Sequence, residues 1–132
     1  MKELKIKTVY NDEYGITINC FLSSEQIEEI AGEVIKLPSY VEREQMICYK
    51  VLSLCTDIGV DEIENVDPNL IEKSGLWETV KSCIFNFCDL EDAIKFYESV
   101  VRLLADISEK LPDLISQLRE IDLRKVFKND VQ

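Results

Sequence analysis

No histidine occurs among the 132 residues of this chain, which removes the commonest general base and the commonest metal ligand. Ser-His-Asp and Cys-His nucleophile systems are excluded with it. Glycine (four residues) and proline (three) are scarce. Neither G-x-x-x-x-G-K-[ST] nor G-x-G-x-x-G appears, so the chain has no glycine-rich phosphate cradle. Positive charge is also in deficit: 15 Lys and Arg stand against 26 Asp and Glu, a net charge of −11. Such a field repels bare nucleic acid and anionic membrane, and it favours basic partners. Charges interrupt the apolar stretches every few residues, so no transmembrane helix is expected. Met1-Lys2-Glu3-Leu4-Lys5 runs straight into alternating polar and apolar residues without the apolar stretch of a signal peptide. The expected location is therefore intracellular.

What is present is a core. Apolar residues make up 46% of the chain, and a chain of this length usually forms one domain that buries roughly two-thirds of its unfolded surface. The acids are bunched. Between Lys7 and Lys36 there is no Lys or Arg, yet Asp12, Glu13, Glu25, Glu28, Glu29 and Glu33 lie there. Between Lys50 and Lys73 the same holds, with Asp57, Asp61, Glu62, Glu64, Asp67 and Glu72. The five cysteines, Cys20, Cys48, Cys55, Cys83 and Cys88, include no Cys-x-x-Cys pair, and each sits among apolar neighbours. They read as small buried hydrophobes in a reducing compartment rather than as a disulfide framework or a zinc site.

Two periods divide the chain. Leu4, Ile6, Thr8 and Tyr10 alternate with Lys5, Lys7 and Val9; Asn11 to Gly15 forms a turn; Ile16, Ile18, Cys20 and Leu22 then share one face. The spacing predicts a β-hairpin over 1–22 whose apolar face must pack on something else. From Ser23 the period becomes helical over 23–128. Ser23 and Gln26 form a capping-box pattern, and Ile27, Ile30, Ala31, Val34 and Ile35 form an apolar stripe that ends before Pro38. Ser39 with Glu42 opens a long helix through Ile58, with Gly59 as its terminator. Val60 to Val66 reads as an acidic connector. Asp67-Pro68 starts a short helix ending near Gly75. Leu76 to Phe87 forms the next, Asp89 caps another, and Leu111-Pro112 separates it from a last helix carrying Leu114, Ile115, Leu118, Ile121 and Phe127. The expected fold is a single α+β domain over 1–132, mostly α, in which a hairpin precedes a compact bundle of five or six helices.

The catalytic inventory is thin. Glu91 and Asp92 stand in the first turn of a predicted helix, where acids stabilise the dipole by about 0.3–1 kcal/mol each. An EF-hand loop begun at Asp57 would place Gly59 at position three and Glu62 at position six, so calcium is not supported. No catalytic residue, cofactor-binding residue or metal ligand is assigned. What local helix chemistry leaves unexplained is Glu29 and Glu33, like charges four apart on one helix, and Asp61, Glu62 and Glu64 in the connector. Those five are the candidate partner-binding residues. Trp77 joins them, because tryptophan serves both cores and interface hot spots.

The run from Tyr40 to Ile84 contains an amphipathic helix ending in Thr56-Asp57-Ile58, an acidic connector, and a Ser74-Gly75-Leu76 break before another helix. In this it resembles small proteins encoded in the structural-gene clusters, for head and tail morphogenesis, of tailed bacteriophages of Gram-positive hosts. The resemblance implies a virion component or an assembly factor that acts through protein contacts, with phage structural proteins or copies of itself as partners. It also implies residence in the cytoplasm of a bacterial host or in the virion. The alternative reading is an acidic nucleic-acid mimic that inhibits a host defence protein, of the anti-CRISPR or anti-restriction type. On both readings the protein is not an enzyme, binds neither nucleic acid nor membrane directly, and meets a protein partner, which an exposed hairpin edge can also pair with.

Overall fold

The computed structural model describes residues 4–130, with side chains through Glu120. The expectations for Met1 to Glu3, and those for the side chains of Ile121 and Phe127, lie outside the described residues. Two strands, β1 (Thr8–Asn11) and β2 (Ile16–Asn19), precede six helices: α1 (Ser24–Val34), α2 (Tyr40–Cys55), α3 (Val60–Glu64), α4 (Pro68–Lys73), α5 (Leu76–Cys83) and α6 (Phe87–Asp130). The fold class is α+β, mostly α. By its contacts the chain divides into two units, one through Tyr97 and one from Glu98 onward.

β1 and β2 pair antiparallel, with Val9 opposite Ile18 and Tyr10 opposite Thr17. The turn is fixed by the Tyr14 amide, which donates to the Asn11 side-chain oxygen at 3.0 Å, and by Gly15 at φ 64°. This register puts Val9 on the core-side face of β1 and Tyr10 on the other. The apolar set Leu4, Ile6 and Tyr10 is therefore exposed, Leu4 at 91%. A period of two makes the two faces interchangeable in sequence; the turn decides between them. β2 keeps its expected face, with Ile16, Ile18, Cys20 and Leu22 all buried.

β2 lies between β1 and the chain just after α2. Ile18 forms an antiparallel bridge with Thr56, and the Thr17 amide donates to the Asp57 carboxylate at 2.9 Å. Beyond β2, the Cys20 carbonyl accepts the Phe85 amide at 2.8 Å. The Asn86 side chain then serves both backbone groups of Leu22, accepting its N–H at 2.9 Å and donating to its C=O at 2.8 Å. The hairpin is thus stitched into the helical unit rather than left as a lone two-stranded ribbon, which would be marginal in water.

The helices start where their caps dictate. Ser23 and Gln26 form a reciprocal capping box on α1. The Ser39 hydroxyl accepts the Glu42 amide, and Asp67 caps α4 ahead of Pro68. The Arg43 guanidinium donates to the carbonyls of Leu37 and Ile35, which follow the end of α1. The core gathers Ile18, Leu22, Ile30, Val34, Val51, Leu52, Val80 and Leu90, all fully buried, and no polar side chain is buried among the described residues.

Several boundaries differ from the sequence expectation. α2 stops at Cys55, not at Gly59, because Thr56 turns extended to pair with Ile18 while its hydroxyl donates to the Leu52 carbonyl. Gly59 instead precedes α3, so the acidic connector is a short helix anchored by buried Ile63. Five residues are too few to display a helical period. α5 ends at Cys83 because Ile84 is extended where the chain meets Cys20. Asp89 lies in the first turn of α6 rather than at its cap, and Pro112 lies inside that helix. An interior proline removes one backbone donor and its ring crowds the carbonyl four residues earlier, at a cost of about 3 kcal/mol, and α6 continues past it nonetheless.

The two short motifs at Thr56-Asp57-Ile58 and Ser74-Gly75-Leu76 have structural roles. Thr56-Asp57-Ile58 ends α2 and ties it to β2. At Ser74-Gly75-Leu76 the Ser74 hydroxyl donates to the Ile71 carbonyl. The Ser74 carbonyl accepts the Tyr14 hydroxyl, and Gly75 adopts φ 81°. A Cβ at Gly75 would stand 3.3 Å from that hydroxyl oxygen, so backbone conformation and space both call for glycine.

Candidate functional site

α2, α4 and α5 leave a cleft of about 370 Å³ between them. Its wall from α2 carries Tyr40, Glu44 and Cys48, spaced four apart and therefore on one helical stripe. α4 contributes Ile71 and Glu72, and α5 contributes Trp77, Glu78 and Lys81. Trp77 is 8% exposed and packs edge-on against Phe87, with ring centroids 5.8 Å apart. It belongs to the core and still reaches the cleft. Tyr40, at 77% exposed, stands free at the same cleft.

The electrostatics are one-sided. Glu44, Glu72 and Glu78 line the cleft against a single cation, Lys81. The Lys81 ammonium lies 5.1 Å from the centroid of the Phe87 ring. Burial pushes the Cys48 thiol up to about 11, and the neighbouring Glu44 and Glu72 carboxylates push it the same way. At neutral pH that thiol is protonated and a poor nucleophile. Cys55 is likewise pushed up to about 11, chiefly by burial and then by Cys20. Cys20 is also raised, by burial first and by Cys83 second.

An aromatic floor with carboxylates around it suits a cation on an apolar stem. A lysine or arginine side chain can lay its methylenes on Trp77 and Tyr40 and offer its head to the three carboxylates.

The sequence-selected residues fall apart in space into different roles. Glu29 on α1 meets Lys50 on α2 at 3.6 Å, so part of its charge is answered within the chain. An exposed pair of this kind contributes about 0–1 kcal/mol. Glu33 is exposed on the same helix. Asp61 and Glu62 occupy the first turn of α3, where negative charge complements the helix dipole, and Glu64 ends that helix exposed. Trp77 alone among the six lines the cleft. Sequence reasoning missed Tyr40, Glu44, Glu72 and Glu78. The four-residue spacing of Tyr40, Glu44 and Cys48 was a readable signal, but nothing in one dimension brings α4 and α5 to that stripe.

The five cysteines are free thiols: Cys20 and Cys55 are buried, Cys48 and Cys83 half-buried, and Cys88 exposed. Exposure of Cys88 corrects the expectation that all five are buried; it lies on the outer side of the first turn of α6, next to Asp89. Among the described residues no group of three Cys, Asp or Glu side chains is placed to hold a metal ion. No described helix is long and apolar enough to cross a membrane. Comparison with known proteins finds no matching family model, no similar curated protein and no similar solved structure.

Proposed function

We propose that this protein works by protein–protein contact rather than catalysis, receiving a basic segment of a partner in the cleft over Trp77. The observation that carries the reading is the convergence of Glu44, Glu72 and Glu78 around an aromatic floor with one opposing cation. The resemblance of residues 40–84 to phage morphogenesis proteins supplies the setting: an assembly factor or virion component, made in the bacterial cytoplasm, whose partner is a phage structural protein. Trp77 is the only tryptophan, so its emission reports occupancy directly. Titration with a short Lys/Arg-rich peptide should perturb that emission, and added salt should weaken binding because the charges at the rim are screened. The double change Glu72→Gln with Glu78→Gln should weaken it by about tenfold, as loss of two partly exposed charge contacts implies. Binding equal in the double variant and the parent would refute the cleft as the site.

A second reading is favoured by the charge distribution. The unit through Tyr97 holds nineteen Asp and Glu against nine Lys and Arg, nearly the whole acidic excess. A nucleic-acid mimic presents such a concentrated field to a basic DNA-binding surface. On this reading the protein competes with DNA for a defence nuclease, and the cleft variant leaves that competition unchanged.

A further inference from the structure

Every residue of α6 from Val101 to Glu120 is exposed, yet eight large aliphatic side chains lie in that stretch at 41–61% exposure. Their order differs from the stripes of the other helices. Val100, Leu104, Ile107, Leu111, Leu114 and Leu118 recur at alternating intervals of four and three. That is a 3.5-residue period, which keeps one seam facing a partner helix as two helices supercoil. In heptad terms Leu104, Leu111 and Leu118 occupy a positions, and Val100, Ile107 and Leu114 occupy d positions. Pro112 falls at b, away from the seam.

We infer that α6 assembles with the α6 helices of other copies of this chain into a parallel bundle of three or four. Three observations choose this occupant. First, Leu fills every a position while β-branched Val100 and Ile107 fill two of the three d positions, which approaches the pattern of Leu at a with Ile at d that shifts coiled coils from dimers to trimers and tetramers. Second, Val101, Leu103 and Ile115 flank the seam and widen the apolar stripe beyond what one partner helix covers. Third, charge permits self-association here and nowhere else. Residues from Glu98 onward carry seven acids and six bases, whereas the preceding unit is ten charges negative. A near-neutral segment gives a basic partner nothing to recognise, while like copies meet across it without repulsion. Between Val101 and Gln117 the e and g positions hold one charged residue, Lys110, so in-register copies place no opposing like charges along the seam.

The assembly does not depend on the basic-partner reading of the cleft, and salt separates the two. A parallel bundle gathers the acidic units that are linked to the same end of each α6, so added salt should strengthen association, whereas it should weaken peptide binding at the cleft. Light scattering and sedimentation velocity on the full chain, across a range of micromolar concentrations, should report a mass of three or four chains. Leu104→Glu with Leu111→Glu should yield monomers, with Trp77 emission unchanged because that residue is buried in the other unit. The milder Leu111→Asn should weaken association by about tenfold or lower its stoichiometry, and Glu109→Gln, at the outward f position, should leave it intact. A strict monomer, a dimer, or a double variant that associates like the parent would overturn the proposal. Association indifferent to salt would overturn the parallel arrangement.

Discussion

Replacing Asn86 with alanine tests how the hairpin is held. Its side-chain amide is the partner of both the N–H and the C=O of Leu22, at 2.9 and 2.8 Å, and the Leu22 side chain is fully buried. Truncation leaves one donor and one acceptor without partners, at about 1–3 kcal/mol each when water is excluded. Asn86 is itself half-buried, so some water reaches the site, and the expected total is about 2–4 kcal/mol. For a chain of this size that lowers Tm by roughly 6–15 °C. Urea unfolding followed by Trp77 emission gives the free energy, and circular dichroism gives Tm. The variant N86D refines the test. A carboxylate can accept from the Leu22 amide but cannot donate to the Leu22 carbonyl, and it repels that carbonyl. Its pKa in the folded state must then lie above the unfolded value. Protonation restores the donor, so the deficit relative to the parent is full above that raised folded-state pKa, shrinks as pH falls from there to the ordinary carboxylate value, and is gone below it. A loss under about 0.5 kcal/mol for Asn86→Ala, within the scatter of surface changes, would refute the argument that this amide closes the sheet onto the helices.

Ser23→Ala removes the hydroxyl that accepts the Gln26 amide and should cost about 0.5–2 kcal/mol in the same urea assay. Gly75→Ala forces a Cβ into a left-handed conformation beside the Tyr14 hydroxyl. It should destabilise by about 1–2 kcal/mol, while Gly32→Ala, where a Cβ meets nothing, should be neutral or stabilising. Pro112→Ala restores a backbone donor inside α6 and should raise helical ellipticity without changing the stability of the unit containing Trp77. Alkylation at mildly alkaline pH, read by mass spectrometry, should label exposed Cys88 first and spare Cys48 and Cys55. Those two thiols are held protonated up to about 11, above their unfolded value near 9. The unfolded chain therefore loses these protons first, and stability should fall as pH rises from about 9 through 11.

The phage setting and the nucleic-acid-mimic setting make opposite demands on the same molecule. An assembly factor needs surfaces that accept partners at defined places, and the cleft over Trp77 and the seam of α6 are the two places proposed for that, with different chemistry. A mimic needs only a field, and the unit through Tyr97 has one. Salt dependence, measured once for peptide binding and once for self-association, separates these uses of charge.

Much of this was local and therefore legible in one dimension. Caps are set by residues within one turn of each other, so Ser23 with Gln26, Ser39 with Glu42 and Asp67 with Pro68 marked helix starts that the structure keeps. The buried face of β2 followed from strict alternation, and the change of period after Leu22 marked the end of the hairpin. The face of β1, the end of α2 and the existence of α3 were not legible. The geometry of the turn decides the first, and partners far along the chain decide the others: Ile18 for Thr56, Thr17 for Asp57, and the core for Ile63. The cleft is of the same kind, because its carboxylates come from three helices whose approach no spacing records. Pro112 misled in the other direction, since a residue that often ends a helix lies inside α6. Sequence alone thus determined charge, the absence of histidine chemistry, helix starts and strand period, which act over a few residues. Tertiary structure decided which acids meet, which apolar faces are covered and which remain exposed, because those depend on burial and contact between segments distant in the chain.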